Sequence, residues 1–78
     1  MLILNQEEQF LINIKNTISI GVKKYNIAPN EIYSIIAVLT TGDEAKLGYY
    51  SDKQRAKEIL QEIMTSNAVN KTFYMPKE

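Results

Sequence analysis

The hydrophobic positions of this chain change period along its length. Met1–Leu4 is a short apolar run and reads as a first strand over residues 1–4. Asn5–Glu8 is polar and marks a turn. Phe10, Ile12, Ile14, Ile18, Ile20 and Val22 then all fall on even positions, with Asn13, Lys15, Thr17, Ser19 and Gly21 between them. Alternation of period two with β-branched side chains is a strand pattern. Lys15-Asn16 interrupts it, so it predicts two strands, over 9–14 and 17–24, or one bent strand. Pro29 biases Ala28 away from helix, and Tyr25–Asn30 reads as a loop.

Residues 31–41 fit two templates. Ile32, Ile35, Ile36 and Leu39 would make a helical stripe stopped by Gly42. The β-branched excess (Ile32, Ile35, Ile36, Val38, Thr40 and Thr41) favours a pleated strand. The neighbouring residues tip the balance to strand. Gly42-Asp43 suits a two-residue hairpin turn. Such a turn pairs Thr40 with Ala45, Val38 with Leu47 and Ile36 with Tyr49 on one face. The opposite face then carries Thr41 with Glu44, Leu39 with Lys46 and Ile35 with Tyr50. One register sorts both strands, 31–41 and 44–50, and a slip by one residue would destroy the sorting.

A helix is expected over 51–66. Ser51 can cap it and Gln54 would complete a capping box. Asp52 suits the positive end of the helix dipole. Ala56, Ile59, Leu60, Ile63 and Met64 form one apolar face, opposite Lys53, Lys57, Glu58, Gln61 and Glu62. The helix should stop near Ser66-Asn67. Phe73–Met75 would add a short edge strand over 72–75, ended by Pro76. The fold class is therefore α+β: an antiparallel sheet of about 4–5 strands with one C-terminal amphipathic helix packed on one face. All 78 residues make one domain. The order of elements also looks like a pleckstrin-homology-type partial barrel, an analogy of fold that carries no function.

Composition narrows the chemistry. The chain has no Cys, no His and no Trp, and nine Lys plus Arg balance nine Asp plus Glu. Thiol catalysis, histidine acid–base chemistry and Cys/His metal sites are thereby excluded from its own residues. Zero formal net charge argues against a general nucleic-acid binder. The apolar share is 45%, with eleven Ile, too high for a disordered chain. The longest uncharged run, Ile32–Gly42, is eleven residues against the about 20 a membrane helix needs. The first cation is Lys15, so no basic start to a secretory signal is visible. Lack of Cys fits a reducing compartment, and a cytoplasmic protein with no membrane partner is expected.

The adjacent carboxylates Glu7-Glu8 and Asp43-Glu44 read as solvated turns, and Glu58 with Glu62 as a surface pair. Gly42 and Gly48 lack the third glycine of a dinucleotide fingerprint. Gly48, placed opposite Ala37, would let the helix approach. No catalytic, metal or cofactor-binding residue emerges, and no cofactor is expected. Lys23-Lys24-Tyr25 is a small cation–aromatic surface of the kind single-strand binders use. If the helix covers the Val38–Leu47 face, Ile35, Leu39 and Tyr50 remain on the other, an apolar surface for a partner.

Tyr33-Ser34-Ile35-Ile36-Ala37, Gly42, Leu47-Gly48-Tyr49-Tyr50-Ser51, Arg55-Ala56, Ile59-Leu60 and Phe73-Tyr74-Met75-Pro76, with the opening Met1–Asn5, carry a resemblance. The chain resembles small uncharacterised proteins of phages and prophages of Gram-positive bacteria. The resemblance implies a strand-hairpin-helix core and an accessory role through binding. It carries over no catalytic or ligand-binding residue. The expected function is a non-enzymatic accessory protein acting by protein–protein contact or self-association, as a homodimer for instance. The alternative is a nucleic-acid-binding module using Lys23, Lys24, Tyr25 and nearby lysines.

Overall fold

Each apolar pattern becomes an element whose one face can be buried, and two sheets share a single core. The computed structural model describes residues 1–66 and 71–78. Among them are six strands and one α-helix: β1 (Leu2–Leu4), β2 (Leu11–Asn13), β3 (Thr17–Ile27), β4 (Asn30–Leu39), β5 (Glu44–Tyr50), α1 (Lys53–Thr65) and β6 (Thr72–Tyr74). The fold is α+β. A large antiparallel sheet has the order β3-β4-β5, and a small one the order β2-β1-β6, with β6 parallel to β1. Neither sheet closes into a barrel.

The interruption at Lys15-Asn16 separates two strands that belong to different sheets. Ile14–Asn16 is a 3-10 turn, and Asn13 Oδ1 accepts from the Lys15 N–H at its start. Ile20 and Val22 point to the core as the alternation requires, but Ile18 is exposed. Thr17 pairs with Leu39 and Ser19 with Val38, so Ile18 is the extra residue of a bulge and leaves the pattern. The expected loop over Tyr25–Asn30 is strand almost throughout. Ile27 pairs with Asn30, leaving Ala28-Pro29, joined by a cis peptide bond, as the whole reversal. Pro29 is compatible with a strand pair because it occupies the turn and not the ladder.

The second hairpin forms, in a different register from the one expected. The turn comprises Thr40-Thr41-Gly42, with Gly42 N–H donating to Leu39 C=O and Leu39 N–H to Asp43 C=O. Gly42 has φ +93°, the left-handed conformation that closes a three-residue hairpin loop. Val38 therefore pairs with Glu44 and Ala37 with Ala45. A bulge then falls between Ile35 and Ile36, so that Ile36 faces Lys46, Ile35 faces Gly48 and Tyr33 faces Tyr50. The shifted turn reverses the parity of β4. Ile35 and Ala37, not Ile36 and Val38, face the helix. The bulge also lets Leu47 and then Tyr50 both point inward from β5, which strict alternation forbids.

Helix α1 lies against the inner face of the large sheet and buries Ala56, Ile59 and Ile63. Burying each isoleucine contributes about 1.5–3 kcal/mol. A helix of 13 residues is marginal alone, so this docking holds it. Leu60 is half-buried and Met64 is 64% exposed, so the buried stripe is narrower than the sequence suggested. The N-cap is Asp52, whose side chain accepts from the Gln54 N–H; Ser51 does not cap the helix. Ser66 is the C-cap, and the expected role of Asn67 falls outside the described residues. Ile3, Ile12 and Phe73 of the small sheet, with Met75, complete the core.

Gln6 joins the sheets. Its N–H donates to Leu47 C=O, while its side chain accepts from Tyr49 N–H (2.8 Å) and donates to Tyr49 C=O (3.2 Å). One residue thus pairs with the open edge of β5 as a strand would. The turn that presents it is fixed by Asn5, whose Oδ1 accepts from the N–H groups of Gln9 and Phe10 at 2.7 and 2.9 Å.

Candidate functional site

In the small sheet, alternation divides the side chains strictly. Ile3, Ile12 and Phe73 point inward. Leu2, Leu4, Leu11, Asn13, Thr72 and Tyr74 point outward, where no layer of the described residues covers them. The pairing sets Leu11, Leu4 and Tyr74 in one row across β2, β1 and β6. The next row is Asn13, Leu2 and Thr72. Leu11 is 53% and Tyr74 67% exposed, Leu2 is also open, and Leu4 is half-buried between its neighbours. None of the six side chains is charged. Leu11, Leu4, Tyr74 and Leu2 thus make an uncharged, largely apolar patch, with Asn13 and Thr72 at its polar corners.

Sequence reasoning missed this surface. Its signal was present: Leu2 and Leu4 flank Ile3 at period two. What was lacking was the parallel pairing of β1 with β6, which joins residues about seventy positions apart and brings Tyr74 beside Leu4.

The residues expected to form an interaction surface separate. Ile35 is fully buried and Tyr50 is 1% exposed; both belong to the core. This corrects the expected surface: the parity reversal at the Thr40-Thr41-Gly42 turn brings Ile35 inward, and the bulge between Ile35 and Ile36 brings Tyr50 inward. Leu39 is half-buried at the end of β4. Lys23 and Tyr25 lie together on the outer face of the large sheet. Lys23 and Lys46 place their ammonium groups 5.4 and 5.6 Å from the Tyr25 ring centroid. Lys24, one residue on, points to the opposite face. There it pairs with Glu31 at 3.1 Å. The expected Lys23-Lys24-Tyr25 cluster is therefore a Lys23–Tyr25–Lys46 cluster.

An open, polar cleft lies where the end of the β3–β4 hairpin meets the start of α1. It is lined by Glu31, Tyr33, Ser51, Asp52, Lys53 and Glu78, among others. Each of its carboxylates is engaged. Glu31 accepts from the Tyr33 hydroxyl at 2.7 Å and pairs with Lys24, and both hold its carboxyl below the usual range. Glu78 accepts from the Ser51 hydroxyl and from the Ser51 N–H, which lower its carboxyl likewise. Asp52 is the helix cap. Carboxylates held low are poor proton acceptors near neutrality.

The adjacent carboxylates have plain roles. Glu8 stands in the β1–β2 turn with φ +58°, 3.8 Å from Lys77, and Asp43 accepts from the Thr41 hydroxyl. Glu58 and Glu62 are exposed on α1. Among the described residues no group of three or more carboxylates is placed to hold a metal ion. Nor is any helix among them long and apolar enough to cross a membrane. Compared with protein-family models, curated proteins and solved structures, the chain matches none.

Proposed function

We propose that this is a small non-enzymatic accessory protein of phage or prophage type that acts through protein–protein contact. Its contact surface is the outer face of the small sheet. One observation carries the reading: Leu11, Leu4 and Tyr74 stand in a single uncharged row across three hydrogen-bonded strands. A sequence without Cys or His supports the non-enzymatic part. A cytoplasmic setting belongs to the same proposal, on the cysteine-free composition.

Photo-crosslinking tests it. A photoreactive phenylalanine analogue replaces Tyr74, an exposed aromatic position, and another replaces Lys57 on the solvent face of α1. Illumination in cells should give discrete protein adducts from position 74 and none from 57. No adduct from position 74 would sink the reading.

A second reading has its own observation. Two ammonium groups flank the half-buried Tyr25 ring on the outer face of the large sheet, a minimal platform for a single-stranded nucleic acid. Two cations neutralise two phosphates, giving a salt slope of about −1.4 at most for a single strand. A gel shift at low salt that is lost in Lys23→Gln/Lys46→Gln would favour it over protein contact.

A further inference from the structure

We infer that Gln6 is a plug: it fills the edge of β5 with the bonding pattern of a strand, and so bars another chain from adding a strand at the uncharged end of that edge.

The large sheet ends on two edges, β3 and β5. An edge strand offers its free N–H and C=O groups to any extended chain. The two edges differ in what discourages such pairing. β3 carries Lys23 and Lys24 and is bent by the bulge at Ile18. Lysines and bulges both blunt an edge. β5 has its charges at Glu44 and Lys46, near its start, whereas Leu47-Gly48-Tyr49-Tyr50 is uncharged. Low charge with aromatic side chains favours strand pairing. Gln6 bonds to this uncharged part.

Its bonds follow the ladder of a parallel strand. In such a ladder one residue donates its N–H to the C=O of residue i and accepts at its C=O from the N–H of residue i+2. Gln6 N–H donates to Leu47 C=O at 2.7 Å, and Tyr49 N–H donates to Gln6 Oε1 at 2.8 Å. The side-chain oxygen stands in for the backbone carbonyl. The side-chain nitrogen then donates to Tyr49 C=O at 3.2 Å and to Pro76 C=O at 3.3 Å. A carboxamide supplies the acceptor and the two donors that this position uses. A glutamate would set a carboxylate against two carbonyl oxygens.

The plug is also held ready. Asn5 fixes the turn that presents Gln6, through the N–H groups of Gln9 and Phe10. Pro76, the second partner of the side-chain nitrogen, is fixed in turn by the Tyr50 hydroxyl. An incoming strand must lose its freedom on pairing, whereas Gln6 is already ordered beside the edge.

Sedimentation equilibrium and amide hydrogen exchange test this on the wild type, Gln6→Ala, Tyr50→Phe and Gln6→Ala/Tyr49→Lys. Gln6 is half-buried in a turn, so its replacement keeps the wild-type circular dichroism. Tyr50→Phe loses the other bond to Pro76 C=O but keeps the plug, and so reports a loss of stability alone. Tyr49→Lys puts a charge on the opened edge without restoring a bond. From about 10 μM to 1 mM, Gln6→Ala should associate about tenfold more strongly than the wild type, and Tyr50→Phe no more strongly than the wild type. The double variant should return to the wild-type level. Association through the small sheet's outer face is common to all four proteins and does not enter the comparison. The Tyr49 amide should exchange about tenfold faster in Gln6→Ala than in the wild type. A Gln6→Ala protein that associates like the wild type, a Tyr50→Phe protein that associates like Gln6→Ala, or a double variant that stays associated would each overturn the inference. So would a Tyr49 amide that exchanges equally fast with and without the Gln6 side chain.

Discussion

The ring of Tyr50 lies over the backbone of Gly48, two residues earlier on the same face of β5. A Cβ on residue 48 would stand 2.9 Å from the Tyr50 hydroxyl oxygen and 3.1 Å from Cε2 of its ring. The glycine is there for this ring and not, as the sequence suggested, for the helix. Nor can the ring swing aside easily. It is buried in the core, and its hydroxyl donates to Pro76 C=O at 2.7 Å.

Gly48→Ala should therefore destabilise the fold by about 1–3 kcal/mol, the usual cost of forcing atoms into a packed core. Urea unfolding reads this as a lower midpoint with an unchanged slope. In Gly48→Ala/Tyr50→Phe the closest contact is gone, so the double variant should lose less than the sum of the single ones.

Tyr50 should make stability fall at alkaline pH. Burial pushes its hydroxyl from 10.0 up to about 12. The folded state thus holds the proton more tightly than the unfolded one. The resulting stabilisation is complete below pH 10.0 and disappears as pH rises through about 12. Tyr50→Phe should remove that part of the alkaline decline. At neutral pH it should cost about 0.5–1.5 kcal/mol for the hydrogen bond to Pro76. Denaturant midpoints measured across the alkaline range check both.

The helix start separates two neighbouring residues. Asp52→Ala should cost about 0.5–2 kcal/mol, because it orphans the Gln54 N–H. Ser51→Ala leaves that cap intact. Thermal denaturation of the two variants at neutral pH should show the larger loss for Asp52→Ala.

Glu78 should titrate below its ordinary 4.5, held down by the Ser51 hydroxyl and N–H. A folded value below the unfolded one gives stability that is present above pH 4.5 and lost as pH falls through the lowered value. The carboxyl resonance of Glu78, followed by NMR, should move back toward 4.5 in Ser51→Ala. Glu78→Gln should unfold over a shallower acid range than the wild type.

Local patterns determined much of this protein. Period two made β2 and β3 legible, the Ala56–Ile63 stripe made α1 legible, and β-branched residues decided for strand in β4. The end of the chain read correctly as a short edge strand, and the α+β class came from the order of elements. These features depend on neighbours a few residues apart, whose spacing alone sets which way they point.

Only the tertiary structure decided which face of β4 meets the helix. Moving the turn from Gly42-Asp43 to Thr40-Thr41-Gly42 reverses parity, and the bulge opposite Ile36 changes it again along β5. An odd shift of register is a small difference in local sequence preference, yet it moves each side chain of a strand to the opposite face. That is why Ile35, expected at a surface, fills the core, while the bulge turns Tyr50 inward beside it. The candidate contact face has the same origin. It exists because β6 returns to lie beside β1, and no local pattern records a pairing between the two ends of the chain.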